Sequence, residues 1–141
     1  MSVYLDYAAT APLRKEVFEC YAEHLQNLGN PSSVHSTGQS VRRALEEARE
    51  SLAKSIDCNR SEVIFTAGGT ESDNLAIKGL YWQRVGEDSN RKLIISTATE
   101  HHASLDPMEW LEKHDGAEII TVPVDFDGII DFDFFEKFLE E

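Results

Sequence analysis

Cysteine is scarce in this sequence. Cys20 and Cys58 stand far apart and fall in no metal-ligand spacing, so they read as lone thiols of a reducing compartment, and a cytoplasmic location is expected. Positive charge is also scarce. Thirteen Lys and Arg face 26 Asp and Glu, a net charge of −13, which argues against a nucleic-acid partner or an anionic membrane surface. Long apolar runs are missing, so nothing spans a bilayer. The opening Met1-Ser2-Val3-Tyr4-Leu5-Asp6-Tyr7 lacks the basic and apolar regions of an export signal. No metal site is expected. Glu100-His101-His102 are adjacent residues that cannot converge on one ion, and no H-E-x-x-H is present. Asp125-x-Asp127-Gly128 begins like a calcium loop, but its glycine comes too early and no Glu closes it. The nucleotide fingerprints G-x-x-x-x-G-K-S/T and G-x-G-x-x-G are absent too.

What the sequence does contain is a run that suits an anion. Glu62-Val63-Ile64-Phe65-Thr66-Ala67-Gly68-Gly69-Thr70-Glu71-Ser72-Asp73-Asn74 reads as an apolar strand, two glycines, then the polar start of a helix. Glycines allow close backbone approach, and the first amides of a helix have no intrahelical partner. The helix dipole favours a phosphate there. A phosphate-bearing ligand other than ATP or NAD is the implication, although Gly68-Gly69 alone fits a plain tight turn equally well.

Elements alternate along the chain. Val17, Phe18, Tyr21, Ala22, Leu25 and Leu28 repeat at helical spacing, as do Val41, Ala44, Leu45, Ala48, Leu52 and Ile56. Val63–Phe65, Leu93–Ile95 and Glu118–Val122 read as short strands. Further helices are expected over Ser72 to about Gln83, over Ala103–His114 with Pro107 tolerated only near its first turn, and over Phe132–Leu139. This alternation predicts an α/β fold: an N-terminal helical segment followed by the start of a mainly parallel sheet. The helical pattern still running at Glu141 reads as the front of a longer protein, so 1–141 is taken as a truncated portion of one domain. Asp125 to Glu141 carries seven acids (Asp125, Asp127, Asp131, Asp133, Glu136, Glu140, Glu141) against Lys137 alone, which reads as a solvated face.

Three polar clusters accompany the glycine turn: Leu5 to Pro12, Gly29 to His35, and Thr97 to Ala103. Open α/β sheets bind ligands at the carboxyl ends of their strands. Gly69-Thr70 and Glu100-His101 are both expected at such ends and can share one crevice. The plain alternatives are turn chemistry for Asn30-Pro31-Ser32-Ser33 and helix-start polar residues for His101 and His102.

Four motifs occur in order: Leu5-Asp6-x-Ala8-Ala9-Thr10, Gly29-Asn30-Pro31-Ser32-Ser33-x-His35, Phe65-Thr66-x-Gly68-Gly69-Thr70-Glu71-Ser72-Asp73-Asn74-Leu75-Ala76, and Thr99-Glu100-His101. Together they resemble the cysteine desulfurase family, the class V aminotransferases of fold-type I that depend on pyridoxal 5′-phosphate. The resemblance implies that Gly69 and Thr70 hold the cofactor phosphate and that His101 stacks on the pyridine ring and moves protons, with His102 a non-contacting neighbour. It places Ala8, Ala9 and Asn30 near the mouth of the site. It implies a homodimer with the N-terminal segment, His35 and the glycine turn at the interface. It also implies removal of sulfur from L-cysteine to leave L-alanine, with the cofactor as electron sink on a lysine. A mobile cysteine then passes the sulfur as a persulfide to an acceptor or iron–sulfur scaffold protein.

The sequence departs from that family in its catalytic groups. The lysine that follows a Ser-x-His motif is absent, and Lys15, Lys54, Lys78, Lys92, Lys113 and Lys137 lie in other contexts. Neither Cys20 nor Cys58 matches the nucleophile. The chain alone is therefore expected to be inactive. The alternatives are another class V member such as a selenocysteine lyase, or a short non-catalytic chain that acts only through a partner.

Overall fold

A computed structural model describes residues 3–138, and these divide into two units between Ile64 and Phe65. The first unit is helical: α1 is Lys15–Leu25 and α2 is Ser36–Ser55, followed by a 3-10 turn at Arg60–Glu62. Gly38 sits in the first turn of α2 because the backbone of the 29–35 turn folds onto it. A Cβ there would meet the Asn30 carbonyl oxygen and come within 2.7 Å of the Ser33 Cβ. Asn30 holds that turn, its side-chain oxygen accepting from the Ser32 amide at 2.9 Å and its carbonyl from the Ser33 amide at 2.9 Å. Arg49 donates to the Val63 carbonyl and ties α2 to the end of this unit. Glu62 accepts from the Asn59 amide at 2.7 Å, and that bond, helped by the Asn59 side chain, lowers its carboxyl pKa. The apolar stripe expected on the first helix is present, but Val17, Phe18, Tyr21 and Leu25 stay exposed.

The second unit contains α3 (Gly69–Glu87), β1 (Leu93–Thr97), α4 (His102–Asp115), β2 (Glu118–Val122) and the short α5 (Phe132–Glu136). β1 and β2 pair in parallel from Leu93↔Glu118 to Thr97↔Val122. A parallel pair requires a crossover, and α4 supplies it, running back against the strands. α3 joins β1 through residues 88–92, so it also runs against the strands. Tyr81, Leu111 and Ala117 form the core between these layers, with Ile77, Val85 and Ile94 packed around them. Gly116, at φ 70°, ends α4 in the left-handed conformation that glycine tolerates best, and the following amide of Ala117 returns to the Leu111 carbonyl at 3.2 Å. The chain leaving β2 turns at Gly128, held by Asp125, whose Oδ1 accepts from the amides of Asp127 and Ile129, both at 2.9 Å.

The α/β class stands, with four differences in detail. Val63-Ile64-Phe65 forms no strand: Val63 is buried, Ile64 is 67% exposed, and no described strand lies alongside to complete a ladder. α3 begins at Gly69, three residues before the expected Ser72, which puts both Gly69 and Thr70 inside its first turn. Pro107 is the sixth residue of α4, past the first turn. It leaves the Ala103 carbonyl without its helical donor, and its ring is fully buried. The last expected helix ends at Glu136, and Leu139 lies outside the described residues.

Candidate functional site

The glycine turn is a braced helix start. Gly68 precedes α3 with an extended backbone (φ 170°, ψ 176°). Ser72 is the first residue whose amide bonds back into the helix, to the Gly68 carbonyl at 3.1 Å. The amides of Gly69, Thr70 and Glu71 precede that bond and donate to nothing within α3. Among the described residues no side chain caps them. The Thr70 hydroxyl is also without a partner among the described residues. A Cβ placed on Gly68 or Gly69 would meet no heavy atom within 4 Å, so the space over the turn is open. Ala67, Gly68, Gly69, Thr70, Glu71 and Asn74 line a shallow depression of about 450 Å³ there.

Packing between the helices sets where this turn lies. The Tyr81 hydroxyl donates to the Asp115 carbonyl at 3.0 Å, and the Trp82 indole donates to the Asp115 carboxylate at 2.5 Å. Lys78 lies 4.5 Å over the Trp110 ring, whose other neighbours are the edge of Trp82 and the stacked ring of His114. These ties between the two helices join residues 28 to 34 positions apart (110 − 82, 110 − 78, 115 − 82, 115 − 81). The two helix starts, Gly69 and His102, are 33 apart. α3 and α4 therefore run side by side in the same direction with their N-termini level. Both N-termini lie at the carboxyl end of β1, where sheets of this kind take ligands.

His101 is the N-cap of α4. Its Nδ1 accepts from the Ala103 amide at 3.0 Å, so the neutral ring carries its proton on Nε2. The rest of the ring is exposed. Before it, Thr97 bonds Thr99 at 3.1 Å and Glu100 at 3.3 Å. His102 faces elsewhere, paired with Asp106 at 3.3 Å on the rim of a separate depression with Ser96 and Thr97. The structure thus brings Gly69, Thr70 and His101 to one end of the second unit, with no hydrogen bond among them. Ala8, Ala9, Asn30 and His35 belong to the first unit.

The donors present fit a phosphate ester: open amides at a helix start, one free hydroxyl, and no neighbouring Cβ to block approach. Four of the six lysines are engaged elsewhere and do not fit a covalent anchor for its aldehyde. Lys15, Lys54 and Lys113 are paired with Glu19, Glu50 and Glu109, and Lys78 is committed to Trp110. Glu109 raises the Lys113 pKa, opposite to what an attacking amine needs. Cys20 is exposed on α1, and the Cys58 thiol lies 3.6 Å from the Asn59 carbonyl.

Sequence reasoning missed two features. The first is the capping bond of His101: the reading as a helix-start polar residue places it at the start of α4, but histidine is not a usual N-cap. The second is the brace formed by Thr66, Glu71 and Ser72; a Glu at the third position of a helix following a glycine turn was its only visible signal.

The chain is 50% identical to a protein named cysteine desulfurase IscS from Dictyoglomus turgidum over 99% of its own length and 34% of that protein's. It is 49% identical to an IscS-like cysteine desulfurase from Mycobacterium tuberculosis over 90% of its length and 32% of that protein's. A solved structure described as a NifS-like protein superposes with a TM-score of 0.84 at 34% identity, covering 97% of this chain and 37% of that one. Another, described as SspA in complex with cysteine, superposes at 0.83 with 32% identity, covering 96% and 38%. The chain spans about a third of the length of these curated relatives. The family model for class-V aminotransferases matches residues 3–141, and the chain belongs to that family.

Proposed function

We propose that this chain is the phosphate-binding part of a pyridoxal 5′-phosphate-dependent cysteine desulfurase. The observation that carries the reading is the level placement of two helix starts, one with open amides and the other bearing His101. Gly69 and Thr70 would hold the cofactor phosphate through their amides and the Thr70 hydroxyl. His101 would lie against the pyridine ring. Its Nδ1 is occupied by the Ala103 amide, which leaves Nε2 as the atom that exchanges a proton. The cofactor, when bound, supplies the electron sink that cysteine chemistry requires.

L-Cysteine is the proposed substrate and L-alanine the product, with the sulfur leaving as a persulfide on a cysteine outside this chain and passing to an acceptor or iron–sulfur scaffold protein. The names of the relatives support this reading, as does the neighbour described in complex with cysteine. A homodimer in the cytoplasm completes the proposal. The chain by itself has neither the anchoring lysine nor the acceptor cysteine, so it should turn nothing over.

The test is a pair of assays with L-cysteine, added cofactor and a dithiol reductant that releases persulfide sulfur as sulfide, one on this chain and one on the protein at its natural length. Alanine and sulfide from the longer protein alone are expected. Sulfide released by this chain alone, or no alanine from either, would contradict the proposal.

A further inference from the structure

The first turn of α3 is held by contacts that leave its outward amides untouched. Thr66 Oγ1 and Ser72 Oγ are 2.6 Å apart, and both lie within reach of the Gly68 carbonyl, at 3.1 and 3.2 Å. Three contacts share two hydroxyl protons. One hydroxyl must therefore donate to the Gly68 carbonyl and the other to its fellow hydroxyl, whichever way round. The same carbonyl takes the Ser72 amide, so it is saturated. On the other side, Glu71 turns back and accepts from the Ala67 amide at 2.7 Å. In a capping box the glutamate satisfies the cap residue itself; here it satisfies the residue before the cap. Asn74 closes the ring by donating to the Thr70 carbonyl at 3.0 Å. These bonds use the Ala67 amide and the carbonyls of Gly68 and Thr70. None uses the amides of Gly69 or Thr70.

We infer that Thr66, Ser72 and Glu71 are positioning residues that hold the turn so that those amides stay open and aimed at a phosphate. This rests on the phosphate-site reading above and deepens it. Glu71 makes the arrangement unusual, because a carboxylate in the first turn repels the anion it helps to seat. The carboxylate is retained for its acceptor oxygen, and its charge is a cost. That separates two substitutions that a purely electrostatic or purely structural role would not separate. Glu71→Gln keeps an acceptor oxygen and loses the charge; Glu71→Ala loses both. The difference between them reads the brace alone.

The experiment measures the dissociation constants of pyridoxal 5′-phosphate and of pyridoxal, which lacks the phosphate, on the protein at its natural length. The proteins compared are the unaltered one, Glu71→Gln, Glu71→Ala, Thr66→Val and Thr66→Ser, each checked for its melting temperature. Glu71→Ala should bind the phosphorylated ligand about tenfold more weakly than Glu71→Gln, the size of one hydrogen bond. Glu71→Gln should bind at least as tightly as the unaltered protein. Thr66→Val should lose a similar factor and Thr66→Ser should restore it. Pyridoxal affinity should move little in any of them. Equal affinities for the two Glu71 variants, or a loss shared equally by pyridoxal, would overturn the inference while leaving the phosphate site standing. Failure of the unaltered protein to prefer the phosphorylated ligand would overturn both.

Discussion

Leu111→Ala is the sharpest test of the frame that sets α3 beside α4. Leu111 is 0% exposed and sits against Tyr81 and Ala117. The substitution removes three carbons from that contact. At about 0.8 kcal/mol for each buried methylene, transfer alone costs about 2.4 kcal/mol. The hole left behind adds to this, because Tyr81 is held by its bond to Asp115 and cannot swing in to fill it. A total of about 3–5 kcal/mol is expected. Against a whole-domain stability of about 5–15 kcal/mol, that is a large share. Urea denaturation of this chain followed by tryptophan fluorescence is a suitable assay, because Trp82 and Trp110 sit on the two helices in question. The same substitution at Leu28, 85% exposed in this chain, should cost under about 0.5 kcal/mol. A loss at Leu111 below about 1 kcal/mol would mean that the two helices are not locked here, and the level placement of Gly69 and His101 would lose its basis.

Other outcomes follow from the same contacts. His101→Asn keeps a side-chain acceptor at the N-cap and removes the ring, so the natural-length protein should keep its melting temperature and lose turnover; His101→Ala should lose turnover and also about 1 kcal/mol of stability. Unchanged turnover in both would remove His101 from the catalytic set. Burial raises the Tyr81 pKa above its ordinary 10.0, reinforced by Asp115 and Glu118. A raised acid is stabilising while it stays neutral, so its contribution is complete below about pH 10 and is lost as pH rises through the higher folded value. Melting curves at pH 8 and pH 11 should show an alkaline loss that Tyr81→Phe reduces. Gly38→Ala would ordinarily favour a helix, but its Cβ strikes the Asn30 and Ser33 backbone turn. A net loss of about 1–3 kcal/mol is expected in thermal melts, and a gain would show that the turn can move aside.

The sequence and the structure agree wherever local signals are strong. Glu118–Val122 carries four β-branched residues in a row, Ile119 to Val122, and β2 has the same bounds. Leu93-Ile94-Ile95 marks the start of β1, and the polar Ser96 and Thr97 extend it because Thr121 and Val122 lie alongside to pair with them. Val63-Ile64-Phe65 has equal strand propensity but no described neighbour, and propensity cannot build a ladder by itself. Gly116, followed by a new apolar run, announces the end of α4. Gly69 and Thr70 are legible as an anion site, since glycine and a helix start carry that meaning locally. Their alignment with His101 is not legible. It depends on Tyr81, Trp82 and Lys78 meeting Asp115 and Trp110, contacts between residues more than 30 positions apart that no local pattern encodes. The capping role of His101 was hidden for a related reason. Its ring nitrogen finds the Ala103 amide only once the helix has formed.

The central claim is that the amides of Gly69 and Thr70 receive the phosphate of pyridoxal 5′-phosphate. Its most direct test is amide NMR of the isotopically labelled protein at natural length during titration with that ligand. The account expects the Gly69 and Thr70 amide signals to move, to saturate together, and to stay in place when pyridoxal is titrated instead. Saturable binding of pyridoxal 5′-phosphate with both amide signals unmoved would contradict it.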